Sequence, residues 1–183
     1  MEKLFKKIIS ITYNLKHMNG ETIFTPHYNK VNPFVIIKGG AVSFIEFVEK
    51  VFDAKENRQI RTPDKDGKLI HAEVQIGDSM ILLADSKEDW PFTPAFLQVY
   101  VDNAQEILNR AEREGADIIT KVSVFYNGLK LARFKDNWGN IWWLYEKINQ
   151  ESLTENKSDT DWHNNKPSDI YSTLMQAMRT LKQ

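Results

Sequence analysis

An internal repeat constrains this chain more than any other feature. Lys130–Lys147, KLARFKDNWGNIWWLYEK, falls on Lys68–Asp85, KLIHAEVQIGDSMILLAD, when shifted back by 62 positions. Lys68-Leu69 then meets Lys130-Leu131, Gly77 meets Gly139 and Leu82 meets Leu144. The same ungapped shift lays Phe34–Lys55 on Phe96–Asp117, placing Phe34 on Phe96, Ile37 on Val99, Ile45 on Ile107 and Ala54 on Ala116. One offset and one order of elements across two blocks mark a duplicated module. Two copies of one unit bury a shared face, so a pocket between them is expected.

Each copy spells the same elements. Phe34–Lys38 is a short apolar run stopped by Gly39-Gly40, a strand and then a turn. Ala41–Phe52 places Val42, Ile45, Val48 and Phe52 on one helical face and Glu46, Glu49 and Lys50 on the other. A short strand is expected over Arg58–Arg61, followed by a polar hairpin turn over Pro63–Gly67. Leu69–Ile76 alternates, with Ala72, Val74 and Ile76 on one side and His71, Glu73 and Gln75 on the other. Met80–Leu83 closes the unit. In the second copy the strands are Phe96–Val101, Asp117–Phe125, Lys130–Lys135 and Ile141–Glu146. Its helix, Asn103–Glu114, is capped by Asp102 or Asn103 and ended by Gly115. Tyr126–Gly128 is a turn. The fold class is therefore α+β, two tandem βαβββ modules (32–86 and 95–149) in a domain spanning 32–149. Ser86–Pro94, with Trp90, Phe92 and two prolines, joins them as a stiff aromatic connector.

At 183 residues the chain has room for one domain with tails, and 42% apolar content suffices for its core. Its 24 basic and 25 acidic residues nearly cancel, so no overall field points to nucleic acid or an anionic membrane. The absence of cysteine excludes disulfides, thiolate metal sites and cysteine nucleophiles, and fits a cytoplasmic setting. No apolar run approaches the roughly 20 residues of a membrane span. Residues 1–31 form an N-terminal extension in which Leu4, Ile8, Ile11 and Leu15 share a helical face and Gly20–Asn32 is a connector. Lys3, Lys6 and Lys7 before an apolar stretch resemble a signal peptide, but Thr12 and Asn14 break the run and no cleavage signature follows. Met18 is an alternative start. In residues 150–183, Glu151–Lys166 is polar and reads as a disordered linker. Pro167–Lys182 returns to helical spacing, with Ser168 as cap and Ile170, Leu174, Met178 and Leu181 as a stripe. A lone helix of about 15 residues is marginal in water, so it should dock on its own domain, a second copy or a partner.

Paired βαβββ modules with the tail Asp136-x-x-Gly139-Asn140-x-Trp142-x-Leu144 resemble the vicinal oxygen chelate superfamily. That group holds glyoxalase I, extradiol dioxygenases, fosfomycin-resistance enzymes and bleomycin-binding proteins. HAEVQIGDSMILLAD and DNWGNIWWLYEK are most similar to a glyoxalase/bleomycin-resistance-like subgroup, some of whose members carry a demethylubiquinone-methyltransferase-like label. The resemblance covers Asn32–Lys147 and implies a cleft-shaped mixed sheet and a homodimer whose clefts are completed across two chains. It also implies where metal ligands would stand, on the first and last strands of each module. The matching positions are Phe34 or Pro33, Ile81 (Leu82 on a one-residue slip), Phe96 and Trp143. None offers an oxygen or nitrogen to a divalent cation, so no metal and no cofactor are expected.

Strand alternation nominates the remaining site residues. If Ala72, Val74, Leu97, Val99 and Phe134 lie under the helices, then His71, Glu73, Gln75, Gln98, Tyr100, Arg133 and Lys135 face the cleft, joined by Trp143 and Tyr145. An aromatic wall with a few polar groups suits a small molecule. His71 with Glu73 is the candidate acid–base pair or, with a third group, an unusual metal site; a simple hydrogen-bonded strand pair is the plainer reading. Arg133 could equally pair with Glu73. Trp90 and Trp138, both in loops, are candidate lids or anchors. Three classes follow: a metal-free binder of an aromatic or cationic organic molecule, an enzyme of lyase, isomerase or dioxygenase type using His71 and Glu73, and an interaction module built on the terminal helices. The first fits the sequence best.

Overall fold

The structure is a computed structural model that describes residues 28–125, 128–148 and 168–181. The first module runs β1 (Phe34–Ile37), α1 (Ala41–Phe52), β2 (Lys55–Glu56), β3 (Thr62–Pro63), β4 (Leu69–Ile76) and β5 (Ser79–Asp85). The second runs β6 (Phe96–Tyr100), α2 (Ala104–Arg113), β7 (Asp117–Phe125), β8 (Leu129–Lys135) and β9 (Ile141–Lys147), and a last helix, α3, spans Asp169–Thr180. The strands make two mixed sheets, ordered β1-β5-β4-β2, with β3 also on β4, and β6-β9-β8-β7. In each, the first strand lies parallel to the last and the others are antiparallel. The architecture is α+β, as expected.

Both helices are started by a carboxylate on the last strand of their own module. Asp85 accepts the Ala41 amide at 2.8 Å and the Leu69 amide at 2.6 Å. Glu146 accepts the Ala104 amide at 2.8 Å and the Lys130 ammonium at 2.6 Å. The free amides at a helix start want such acceptors. Asn103 adds a side-chain cap to α2 through the Glu106 amide.

The two modules meet through their helix-bearing faces. Val35, Ile37, Ala72, Val74 and Leu83 from the first sheet share one core with Ala132, Phe134, Trp142 and Leu144 from the second. α1 is the joint. Phe44 packs edge-on against Trp138 and stacks with Trp142, Phe47 meets Phe134, and Phe52 lies 4.8 Å from Trp142. Because α1 is covered on both sides, it buries Phe44, Phe47 and Val51 as well as Ile45 and Val48. Val42, expected on the buried face, is 36% exposed instead. A single amphipathic stripe anticipates one neighbour; α1 has two.

Other sequence expectations are corrected. Arg58–Arg61 is a turn; the strand residues are those flanking it, and Arg61 closes the loop with a bidentate pair to Glu56 at 2.5 Å. The offset of 62 fails in the last strand. Phe34 and Glu73 both align with Leu82, whereas Phe96 and Lys135 both align with Ile141, so the second hairpin is three residues shorter. α3 docks on β7 with Ile170 and Leu174 half-buried, but Met178 points out at 41% exposure, and Thr173 takes part in the contact instead. The expectations for Met1–Asn19, for most of Gly20–Asn32, for Tyr126-Asn127 and for Glu151–Lys166 fall outside the described residues.

The double burial of α1 has a direct test. Phe44→Ala should cost about 3–5 kcal/mol, as for a buried aromatic truncated in a core, whereas Val42→Ala should change stability by no more than about 0.5 kcal/mol. Urea unfolding of the two variants measures both.

Candidate functional site

Since one face of each sheet lines the common core, the other face of each is turned away from it. The open face of the second sheet is built in cross-strand rows. Gln98, Trp143, Arg133 and Thr120 align across β6, β9, β8 and β7, and Tyr100, Tyr145, Leu131 and Ser123 align beside them. Phe96 packs edge-on against Trp143, and Tyr100 lies 5.6 Å from Tyr145. Gln98 donates to the Tyr100 hydroxyl at 3.2 Å. Tyr100 and Phe96 remain 63% and 47% exposed. Arg133 is buried at the centre, 4.9 Å over the Trp143 ring. It donates to the Ile170 carbonyl of α3 at 2.8 Å and to the Thr120 hydroxyl at 3.3 Å. Among the described residues it pairs with no carboxylate, and burial pushes its pKa down to about 10, an effect that the neighbouring Tyr145 opposes. Burial in turn raises the Tyr145 hydroxyl, against the pull of Arg133. Lys135, on the same face, is tied to Asp117 at 2.9 Å.

The open face of the first sheet carries the opposite character. Glu73 is buried and accepts hydrogen bonds from the Tyr28 hydroxyl and from His71 Nε2, the latter at 3.1 Å. Burial, followed by the Glu73 carboxylate, holds the Tyr28 hydroxyl well above its ordinary range. Phe34 lies 6.3 Å from the His71 ring. Gln75 turns aside to the Gly77 carbonyl at 2.9 Å. Tyr28 was invisible to sequence reasoning because it lies in the connector, outside the repeat. Thr120 and Ile170 were missed because strand alternation says nothing about which helix lands on which strand.

The structure brings together Gln98, Tyr100, Arg133, Trp143 and Tyr145, and separately His71 and Glu73. It does not bring the two sets together within one chain. The Glu73–Arg133 pair does not form. Trp138 is no lid: its ring packs between Phe44 and Phe47, because the turn that carries it folds back on the core. Trp90 stays in the connector, 41% exposed. Ile81, aligned with Trp143 in the ungapped repeat, belongs to the core. The open-face positions of β5 are Met80, Leu82 and Ala84, none of which offers an oxygen or nitrogen to a metal ion. A cavity of ≈ 630 Å³ lies on the seam between modules, floored by Phe52, Ile76, Leu97, Val99 and Trp142. Gln98 and Tyr100 line it as well, so it adjoins the aromatic face along β6.

The Asp136–Trp142 motif proves to be a structural clip. The Asp136 carboxylate accepts from the Trp138 and Asn140 amides, the Asn140 side chain and Trp142 Nε1, all at 2.9–3.0 Å. Burial raises its pKa while these donors oppose the rise. Asn140 in turn accepts the Ala95 amide at 2.8 Å, pinning the connector. Gly139 sits at φ +87°, and a Cβ there would stand 2.6 Å from the Phe92 ring, so only glycine fits.

A sequence profile of the Glyoxalase/Bleomycin resistance protein/Dioxygenase superfamily matches residues 30–144. The chain belongs to this superfamily. It is similar to the uncharacterized protein Rv0887c of Mycobacterium tuberculosis, 28% identical over 149 residues that span 75% of this chain and 82% of that protein. Similar solved structures include protein PA1353 from Pseudomonas aeruginosa, with a TM-score of 0.55 at 16% identity, covering 66% of this chain and 99% of that one. A glyoxalase/bleomycin resistance protein/dioxygenase family enzyme from Burkholderia phytofirmans PsJN matches with a TM-score of 0.52 at 19% identity, covering 64% and 100%. At such identities the structural likeness is one of fold.

In this member of the superfamily, the buried guanidinium yields an expectation. A buried charge with no anion beside it carries a desolvation penalty that no Coulombic attraction repays, and an apolar side chain of similar length removes that penalty. Arg133→Met should therefore leave the unfolding free energy unchanged or raise it by up to about 2 kcal/mol, read from denaturant midpoints. A clear loss would make Arg133 a structural residue.

Proposed function

We propose that this protein binds a small aromatic organic molecule without the help of a metal ion, on the aromatic open face of its second module and the adjoining seam cavity. The observation that carries this is chemical. The positions on the first and last strands that match the superfamily's metal-ligand positions, Phe34, Leu82, Phe96 and, by register, Ile141 or Trp143, carry side chains that stack or pack but cannot coordinate. Among the described residues no group of three His, Asp or Glu side chains could hold a metal ion. A cavity of ≈ 630 Å³ is within the usual range for a small-molecule site. A cationic ligand, the other class expected from the sequence, would meet the buried guanidinium on this face and is better suited to the Glu73 face of the first module. No helix among the described residues is long and apolar enough to cross a membrane, and the cysteine-free sequence supports a cytoplasmic setting.

Native mass spectrometry against an aromatic library should find a ligand, and Trp143→Ala should weaken it roughly tenfold through lost stacking. Chelation with EDTA should shift neither the affinity nor the melting temperature. Near-stoichiometric zinc, nickel, manganese or iron surviving dialysis would overturn the reading.

We also propose a homodimer. The edge strands β1 and β6 have no further strand beside them among the described residues, and each presents an exposed phenylalanine, Phe34 at 51% and Phe96 at 47%. Two copies could set the His71/Glu73 face of one chain opposite the Arg133/Trp143 face of the other. Sedimentation should show a dimer that Phe34→Glu with Phe96→Glu converts to monomers; a native monomer ends the proposal.

The Tyr28–Glu73–His71 chain favours a second reading. A buried carboxylate orienting an imidazole is the arrangement of a general base, so an enzyme of this superfamily working through His71 and Glu73 is the alternative. A turnover whose pH dependence disappears in His71→Ala would establish it.

A further inference from the structure

Arg133 and α3 together carry a further inference, which rests on the ligand-binding reading above. Arg133 is 5% exposed, and its Nε is buried with no acceptor among the described residues. Its compensation consists of two neutral acceptors, the Ile170 carbonyl and the Thr120 hydroxyl, and the face of Trp143. A buried cation is costly unless an anion and full hydrogen bonding offset it. The unused Nε belongs to the edge of a guanidinium that fits the two oxygens of a carboxylate. A phosphate dianion would call for a second cation, and Lys135, two residues along the same strand and on this face, is already committed to Asp117.

What covers the guanidinium is α3, and α3 is loosely held. None of its residues is buried, and Tyr171 and Met178 are exposed. Its polar links to the sheet are the Thr173–Thr120 hydroxyl contact at 2.8 Å and the Ile170 carbonyl on Arg133. A helix this short has little stability of its own, and an element with few buried contacts opens at low cost.

We propose that the Arg133–Trp143 face is a site for a small aromatic carboxylate and that α3 is a displaceable plug seated over it. The carboxylate takes the Nε edge of Arg133, the ring lies on Trp143 and Tyr145, and Ile170 withdraws its carbonyl as α3 lifts. Gln98, in the same row, supplies a neutral hydrogen-bonding group at the far side of Trp143.

Three probes with one ring system test this on the full chain: 2-naphthoate, 2-naphthylmethanol and 2-naphthylmethylammonium, titrated by tryptophan fluorescence and calorimetry. Naphthoate should bind about tenfold or more tightly than the alcohol, as a charge-assisted bidentate contact implies, and the ammonium should bind weakest. Arg133→Met should erase the difference between naphthoate and the alcohol. Arg133→Lys keeps the charge without the fork, should recover only part of the preference, and serves if the methionine variant does not fold. Amide hydrogen exchange across residues 169–180 should accelerate when naphthoate binds. Equal binding of naphthoate and the alcohol, or a preference that survives in Arg133→Met, would overturn the carboxylate site while leaving the ligand-binding reading in place. A carboxylate preference with unchanged exchange in α3 would overturn the plug. Failure of all three probes to bind would remove the ligand-binding reading itself.

Discussion

α1 is the element on which the rest depends, because it is buried on two sides. A helix that serves one sheet needs one apolar stripe. This one adds Phe44, Phe47 and Val51 to that stripe and uses its rings to hold Phe134, Trp138 and Trp142 of the other module. Each fully buried large apolar side chain contributes roughly 1.5–3 kcal/mol, so this seam is a main source of the fold's cohesion. It also decides the geometry of function. Joining the modules through their helix-bearing faces leaves the two open sheet faces looking away from each other, and no single-chain cleft unites them.

Polar groups around that core are handled by a few buried or half-buried carboxylates. Asp85 and Glu146 start the two helices from equivalent last strands, and each uses its second oxygen on another donor of its own module. Asp136 gathers the donors of the β8–β9 turn and the indole of Trp142. Buried polar atoms left without partners are expensive, so these residues are tightly constrained for structural reasons. The motif that most readily signals the superfamily is therefore a folding device, and a match to it carries little information about chemistry.

The two open faces differ in their electrostatics. On the first, a carboxylate is satisfied by a phenol and an imidazole; on the second, a guanidinium is nearly buried with only neutral partners among the described residues. The first arrangement is closed upon itself among protein groups. The second leaves a donor without an acceptor beneath a loosely held helix, which is the sort of local imbalance that a ligand can resolve. Function is better sought at the imbalance than at the pair that merely looks catalytic in sequence.

Much was legible from the residues alone, and for identifiable reasons. The duplicated order of elements gave the α+β class, and the strands with clean alternation, Leu69–Ile76 above all, revealed which side chains share a face. The capping residues Asn103 and Ser168 marked their helix starts. The tail motif pointed to the superfamily. What the sequence could not supply was anything set by packing between distant elements. The three-residue difference between the hairpins shows only in strand register, and it moved the last-strand correspondence from Leu144 to Ile141. Trp138 looked like a loop lid because nothing local says that α1 lies beneath it. Tyr28 and Ile170 reached the two open faces from segments outside the repeat. Local pattern is written in neighbouring residues, so the chain by itself determined its elements and their faces. Which faces meet, and which buried charge finds no carboxylate among the described residues, depends on contacts between residues far apart in the chain, and the tertiary structure alone decided it.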